Sequence, residues 1–251
     1  MKIWPLFIIG TNITGRGLSK VADKTKKPLI TEGLGATMYF SGRAAEFFRD
    51  SDLYGVMLSY KSTGGQQRAL DNGCLWMLDN GAFSGNFDEP RWLGQMGRLL
   101  THSEQCCGVV APDAVILDRA GKFEKGDWYG TLQRLERYSP IIRGFGYPVA
   151  YALQDDHPLE EMPWWLFDVL FVAGTTEYKE SVQVEQIAKE AIRFGKRVHI
   201  GRVSSAKRIS LTWWADSWDG TTFKWDEDDK HRIISGAISK IRANCNQWRL
   251  I

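Results

Sequence analysis

The sequence predicts an α/β fold, a compact (β/α)8 TIM barrel, on three observations. Short apolar or β-branched runs recur along the chain, each followed by a polar or glycine-rich turn and then a helical pattern. The runs are nearly continuous in apolar residues, as strands buried on both faces of a parallel sheet are. Eight such runs alternate with helices, which is the requirement for closing this kind of barrel. Across 251 residues there is no low-complexity segment, internal repeat or Pro/Gly/Ser linker, so residues 1–251 are read as a single domain. An open doubly wound sheet would share the alternation, but no G-x-G-x-x-G follows the first run.

Taken in order, the expected strands are Ile3–Ile9, Leu53–Ser59, Leu75–Leu78, Gly108–Ala111, Pro148–Leu153, Val169–Ala173, Val198–Ile200 and Trp213–Trp218. Thr31–Ser41 is a further strand candidate, which would shift the count by one. Helix starts are marked by Asp88-Glu89-Pro90 before RWLGQMGRLL and by Asp127 before WYGTLQRLERY. Ser181–Phe194 places Val184, Ile187, Ala188, Ala191 and Ile192 on one face and stops at Gly195. Ser204 or Ser205 caps AKRISLTWW, and HRIISGAISKIRA forms the last helix.

Composition narrows the class. A hydrophobic fraction of 43% supports a sizeable core, and 25% charged residues is ordinary for a globular protein in water. No stretch approaches the roughly 18 apolar residues of a membrane helix. MKIWPLFIIG lacks a small-residue cleavage site and is read as a first strand, which points to the cytoplasm. Cys74, Cys106, Cys107 and Cys245 form no CxxC pair, so reduced thiols and no metal are expected; a zinc site using His231 is the alternative. The net charge of +2 selects no partner, but the Lys20–Lys27 and Arg193–Arg208 segments concentrate positive charge. Such runs are solvated faces in most proteins. Eleven Trp residues supply stacking surfaces for bases or, more ordinarily, core packing.

In a barrel, catalytic groups sit at the C-terminal ends of strands. Those positions here read Asp79-Asn80-Gly81-Ala82-Phe83, Pro112-Asp113, Gln154-Asp155-Asp156, Gly174-Thr175-Thr176-Glu177, Gly201-Arg202 and Asp219-Gly220-Thr221. Any one of them alone reads as a turn. Together they bring carboxylates and a carboxamide to one rim, which is the equipment of glycosidic chemistry: one carboxylate attacks or stabilises the anomeric carbon and the other moves protons.

In this order the motifs resemble the tRNA-guanine transglycosylase superfamily, and within it most the DNA-modifying branch, the deazapurine DNA modification protein A group. The resemblance runs from about Leu75 to Phe223. LDNGAF is similar to the family's Asp-Ser-Gly-Gly-Phe-Gln motif, which implies Asp79 as general acid/base, with Asn80, Gly81 and Phe83 lining the base pocket. APD and YALQD imply base recognition by Asp113 and Gln154, and VAGTTEYK places Gly174 and Thr175 in the pocket-lining turn. HIGRVSSAKR resembles the DNA-modifying branch's Gly-Arg-Val loop, with Arg202, Lys207 and Arg208 near backbone phosphates, and DSWDGT implies Asp219 as nucleophile.

The implied activity is a glycosyltransferase reaction needing no cofactor, in which guanine in DNA is exchanged for a 7-deazaguanine base such as preQ0. The implied setting is the cytoplasm of a bacterium or a phage-infected host, with no membrane partner. The sequence departs from the tRNA enzymes, whose zinc subdomain of three Cys and one His has only Cys245 and His231 as counterparts here. That departure favours DNA over tRNA. A reduced tRNA enzyme, a non-catalytic nucleic-acid-binding relative and an unrelated N-glycoside hydrolase are the alternatives.

Overall fold

The structure, a computed structural model, describes residues 37–40, 54–61, 66–82, 87–203, 205–220 and 227–248. In chain order its elements are β1 (Thr37–Phe40), β2 (Tyr54–Ser59), α1 (Gln67–Asp71), β3 (Leu75–Asp79), α2 (Glu89–Arg98), β4 (Cys106–Val110) and the strands β5 (Ala114–Leu117) and β6 (Phe123–Asp127). There follow α3 (Trp128–Gly144), β7 (Val149–Leu153), β8 (Val169–Val172), α4 (Thr176–Lys179), α5 (Val182–Arg193), β9 (Arg197–Ile200), α6 (Ala206–Leu211), β10 (Ser217–Gly220) and α7 (Glu227–Trp248).

Eight of the strands are parallel and close on themselves in the order β1-β10-β9-β8-β7-β4-β3-β2, so the expected TIM barrel is the fold. Two strand positions differ from expectation. The first barrel strand is Thr37–Phe40, inside the Thr31–Ser41 candidate, whereas Ile3–Ile9 lies outside the described residues. The last strand begins at Ser217, not Trp213. Thr212 caps the C-terminal end of α6; its hydroxyl donates to the Arg208 carbonyl (2.8 Å) and accepts from the Trp218 indole N–H (2.8 Å), which turns the chain before it can extend.

Period-two alternation sorts the strand residues into two layers. Tyr39, Met57, Met77, Cys107, Val110, Ala150, Ala152, Val169 and Ala173 fill the barrel, with Leu75 and Phe171 packed beside them. Their alternates, among them Trp76, Tyr151, Leu170 and Trp218, face the helices in a larger outer core that also takes Trp92, Met96 and Leu135. The helix caps fall where the sequence puts them. Asp88, Asp127, Ser181 and Ser205 each accept a first-turn N–H from Arg91, Gly130, Val184 and Arg208 respectively.

The antiparallel β5–β6 hairpin between β4 and α3 was not among the expected elements. Among the described residues no helix is long and apolar enough to cross a membrane, and no cluster of His, Cys, Asp and Glu has the geometry to hold a metal.

Candidate functional site

Alternation also explains how the polar rim is built. Leu75 and Met77 point into the barrel, so Asp79 at the end of β3 does too; Ala150 and Ala152 lead in the same way to Gln154, and Ser217 to Asp219. These side chains line a cavity of about 150 Å³ at the C-terminal mouth, together with Asn80, Asp113, Phe123, Phe171, Gly174, Gly201 and Arg202. A cavity of this volume takes one small planar aromatic group.

Asp219 is held by its strand neighbours. Register pairs Ser217 with His199, which puts the imidazole beneath the Asp219 carboxylate. His199 Nε2 lies 3.0 Å from Asp219 Oδ1 and Nδ1 lies 2.8 Å from Ser217 Oγ. A carboxylate only accepts, so Nε2 carries the proton and donates. The ring is fully buried, stacked on Phe171 at 4.7 Å and edge-on to Tyr39 at 5.6 Å. A second bond to Oδ1 comes from the Arg202 backbone N–H at 3.2 Å, aimed by a left-handed backbone at Arg202 (φ +57°) that a non-glycine residue adopts at a cost. Both bonds fall on Oδ1, which leaves Oδ2 for a ligand.

Two further groups hold the Gly201–Arg202 turn. The buried Lys179 ammonium donates to the Gly201 carbonyl at 2.8 Å, and burial, with Arg202 adding, pulls its pKa down to about 7. The Arg202 side chain donates to the Gly174 carbonyl at 3.3 Å and lies 5.6 Å from the Phe123 ring.

Asp79 is in a different environment. Burial pushes its carboxyl up to about 6, and the charges of Asp113 and Asp219 add to this against the Gly81 and Asn80 N–H groups. Asp113 is also raised, chiefly by burial, while contacts from Asn80, Gln154 and Arg134 oppose the shift. The Gln154 amide donates to Asp113 Oδ2 at 2.6 Å and keeps a second N–H, while its Oε1 is buried without a hydrogen-bond partner. Asn80 locks β3 to β4, donating to the Ala111 carbonyl (2.8 Å) and accepting from the Ala82 N–H (2.7 Å).

Asp155, next to Gln154, is structural. Its carboxylate accepts from the Thr175 hydroxyl (2.6 Å), the Thr175 N–H (2.9 Å) and the Gly126 N–H (2.9 Å), tying β7, β8 and the hairpin together. Burial alone would raise its pKa, but these donors outweigh burial and hold it below the usual carboxylate range. Gly174 passes directly over this carboxylate: its φ is +74°, and a Cβ there would lie 2.9 Å from Asp155 Oδ2. Gly126 is required in the same way, since its Cβ would come within 2.0 Å of Gln154 Oε1.

A carboxyl whose pKa is depressed on folding contributes stability above its unfolded pKa and loses it as pH falls through the folded value. Asp155→Asn is therefore expected to destabilise the fold by roughly 2–3 kcal/mol at neutral pH, the cost of weakened charge-assisted bonds. The deficit shrinks at acid pH in urea unfolding. An unchanged midpoint at pH 7 would remove Asp155 from this role.

Of the residues the sequence singled out, Asp79, Asn80, Asp113, Gln154, Gly174, Arg202 and Asp219 meet at this cavity. Thr175 is committed to Asp155, and Gly81 gives its carbonyl to the Lys61 ammonium (3.2 Å). Lys207 is exposed on α6, and Arg208 is tethered to Glu180 at 2.7 Å, so neither lines the cavity. Phe83 lies outside the described residues. His199, Lys179 and Phe123 were not singled out.

No family model and no curated protein matches the chain. Among solved structures the chain is similar to the phosphoribosyl anthranilate isomerase of Thermus thermophilus, at 12% identity and a TM-score of 0.41, over 82% of this chain and 99% of that one. The likeness carries nothing about chemistry, and the barrel rests on its own strand pairing.

Proposed function

We propose that the protein is a transglycosylase that exchanges guanine in DNA for a 7-deazaguanine base through a covalent Asp219–sugar intermediate. The observation that carries this reading is the pair of carboxylates in one ring-sized cavity with opposed environments. Asp219 is bonded by His199 and the Arg202 N–H, while burial raises Asp79 to about 6. A carboxyl raised by burial beside a carboxylate fixed by two donors is suited to a division of roles, one moving the proton and the other attacking.

In the first half-reaction Asp219 Oδ2 attacks C1′, the C1′–N9 bond breaks, and protonated Asp79 gives its proton to the departing guanine. In the second, N9 of the incoming deazaguanine attacks C1′, the Asp219–C1′ bond breaks, and Asp79 takes the N9 proton. An acid near pH 6 serves both directions at neutral pH. Asp113 accepts from the N1–H and amine of a guanine-like edge, and the free N–H of Gln154 donates to O6. Adenine would leave these groups unpaired. The target nucleotide has to leave its stack to enter a cavity this narrow.

His199 acts through Asp219. His199→Phe keeps the stack on Phe171 and removes the bond to Oδ1, so kcat is expected to fall about 100-fold with little change in KM. An unchanged kcat would show that Asp219 needs no such support.

Incubation with labelled guanine or preQ0 and either duplex DNA or tRNA tests the whole reading. Label is expected in DNA. Label in tRNA alone would make this a reduced tRNA enzyme, and label in neither polymer would refute the transglycosylase assignment.

A further inference from the structure

The β5–β6 hairpin stands outside the barrel sheet yet walls the cavity through Phe123. Its base is fixed to the rim. Gly126 N–H donates to Asp155 (2.9 Å), Ala114 N–H donates to the Thr131 hydroxyl (2.9 Å), and the Lys125 ammonium lies 3.7 Å from the Asp156 carboxylate. Its tip is fixed as well, because Asp118 accepts from the N–H groups of Ala120 (2.9 Å) and Lys122 (2.8 Å) and spends its carboxylate on the turn. The hairpin is thus anchored at its base and closed by a turn that its own hydrogen bonds hold in shape.

Register pairs Leu117 with Phe123 just past an irregularity between Ile116 and Leu117, which sets Leu117 across the ladder from the residue whose ring lines the cavity. The Arg202 guanidinium lies over the Phe123 ring, whereas Leu117 is 40% exposed. Arg119 and Lys122 stand exposed in the turn between the two strands, and Lys122 directly precedes Phe123, whose ring lines the cavity that collects Asp79, Asp113 and Asp219. A polyanion approaching those carboxylates needs cations close by, and Arg208 is already taken by Glu180.

We propose that this hairpin grips the nucleic-acid strand beside the target nucleotide. Leu117 packs as a wedge against the neighbouring base, and Arg119 and Lys122 meet the phosphates. The inference rests on the nucleic-acid reading above and adds to it the surface that holds the polymer. Extruding a base leaves its neighbour unstacked, and an apolar wedge next to the pocket replaces part of the lost stacking.

The test is binding of the full chain to a single-stranded DNA oligonucleotide carrying 2-aminopurine next to a guanine, across a salt series. The variants are Leu117→Ala, Leu117→Phe and the pair Arg119→Ala/Lys122→Ala, all at exposed positions. Leu117→Ala is expected to bind on the order of fivefold to tenfold more weakly and to lose the 2-aminopurine signal, which Leu117→Phe restores. The charge pair is expected to lower the slope of log K against log salt by about 1.4, at about 0.7 per phosphate contact on a single strand.

Wild-type affinities and slopes in all three variants would overturn the proposal, as would failure of the wild type to bind the oligonucleotide. A wild-type dimer that Leu117→Ala dissociates would assign the face to a second copy of the chain and also overturn it. A parallel arm measures entry of labelled guanine into duplex DNA and separates the two readings. Hairpin-dependent binding without label entry keeps the hairpin and removes the chemistry, and label entry with hairpin-independent binding does the reverse.

Discussion

Replacing Asp219 is expected to eliminate base exchange, by about 10⁴-fold or more, because among the described residues no other carboxylate of the cavity is held by two donors on one oxygen with the second left to attack C1′. The choice of substituent separates chemistry from folding. Asp219→Ala leaves the buried His199 Nε2–H without its acceptor, and an unsatisfied buried donor costs roughly 1–3 kcal/mol. Asp219→Asn keeps an oxygen for both His199 and the Arg202 N–H, so it is expected to unfold at nearly the wild-type denaturant midpoint and still be inactive. Residual exchange in the Asn variant at more than a few per cent of wild type would show that Asp219 is not the nucleophile.

Asp79→Asn is expected to do two opposite things. Exchange falls by about 10²–10⁴-fold, since an amide neither gives nor takes the base proton. Stability at neutral pH rises. The folded carboxyl titrates at about 6 against an ordinary 3.8, so the unfolded chain gives up this proton more readily and wild-type stability declines as pH rises between those values. That shift corresponds to a gain of up to about 3 kcal/mol for the Asn variant above pH 6, disappearing below about pH 4. Paired urea titrations at several pH values measure the gap. A difference that does not vary with pH would mean that the Asp79 carboxyl is not held protonated by its surroundings.

Much of this site is legible in the sequence because a barrel strand announces its inward face. After Leu75 and Met77, or Ala150 and Ala152, the next inward position is expected to be apolar, and finding Asp79 or Gln154 there is the signal. Asp219 two residues after Ser217 follows the same rule, even though the predicted strand began too early at Trp213.

His199 gave no such signal. It sits between Val198 and Ile200, where a lone histidine reads as a core residue, and only the pairing of β9 with β10 brings it under Asp219. Lys179 reads as the solvated end of a short helix, and its burial under the Gly201 carbonyl is a tertiary fact. The first barrel strand, TMYF, is a weaker local signal than WPLFII because it is less apolar. Local hydrophobicity does not specify which segment pairs with both β2 and β10. The hairpin was missed because FEKGD carries too few apolar residues to mark a strand, and it is held by Asp155 and Asp118 instead.

The central claim is the covalent step at Asp219. Its most direct measurement is intact-protein mass spectrometry after mixing the enzyme with guanine-containing DNA, followed by denaturation and peptide mapping. The expected result is a sugar-linked adduct that survives denaturation, maps to Asp219 and disappears when excess free guanine is added before quenching. An adduct on another residue, or none while labelled guanine still enters the DNA, would contradict it.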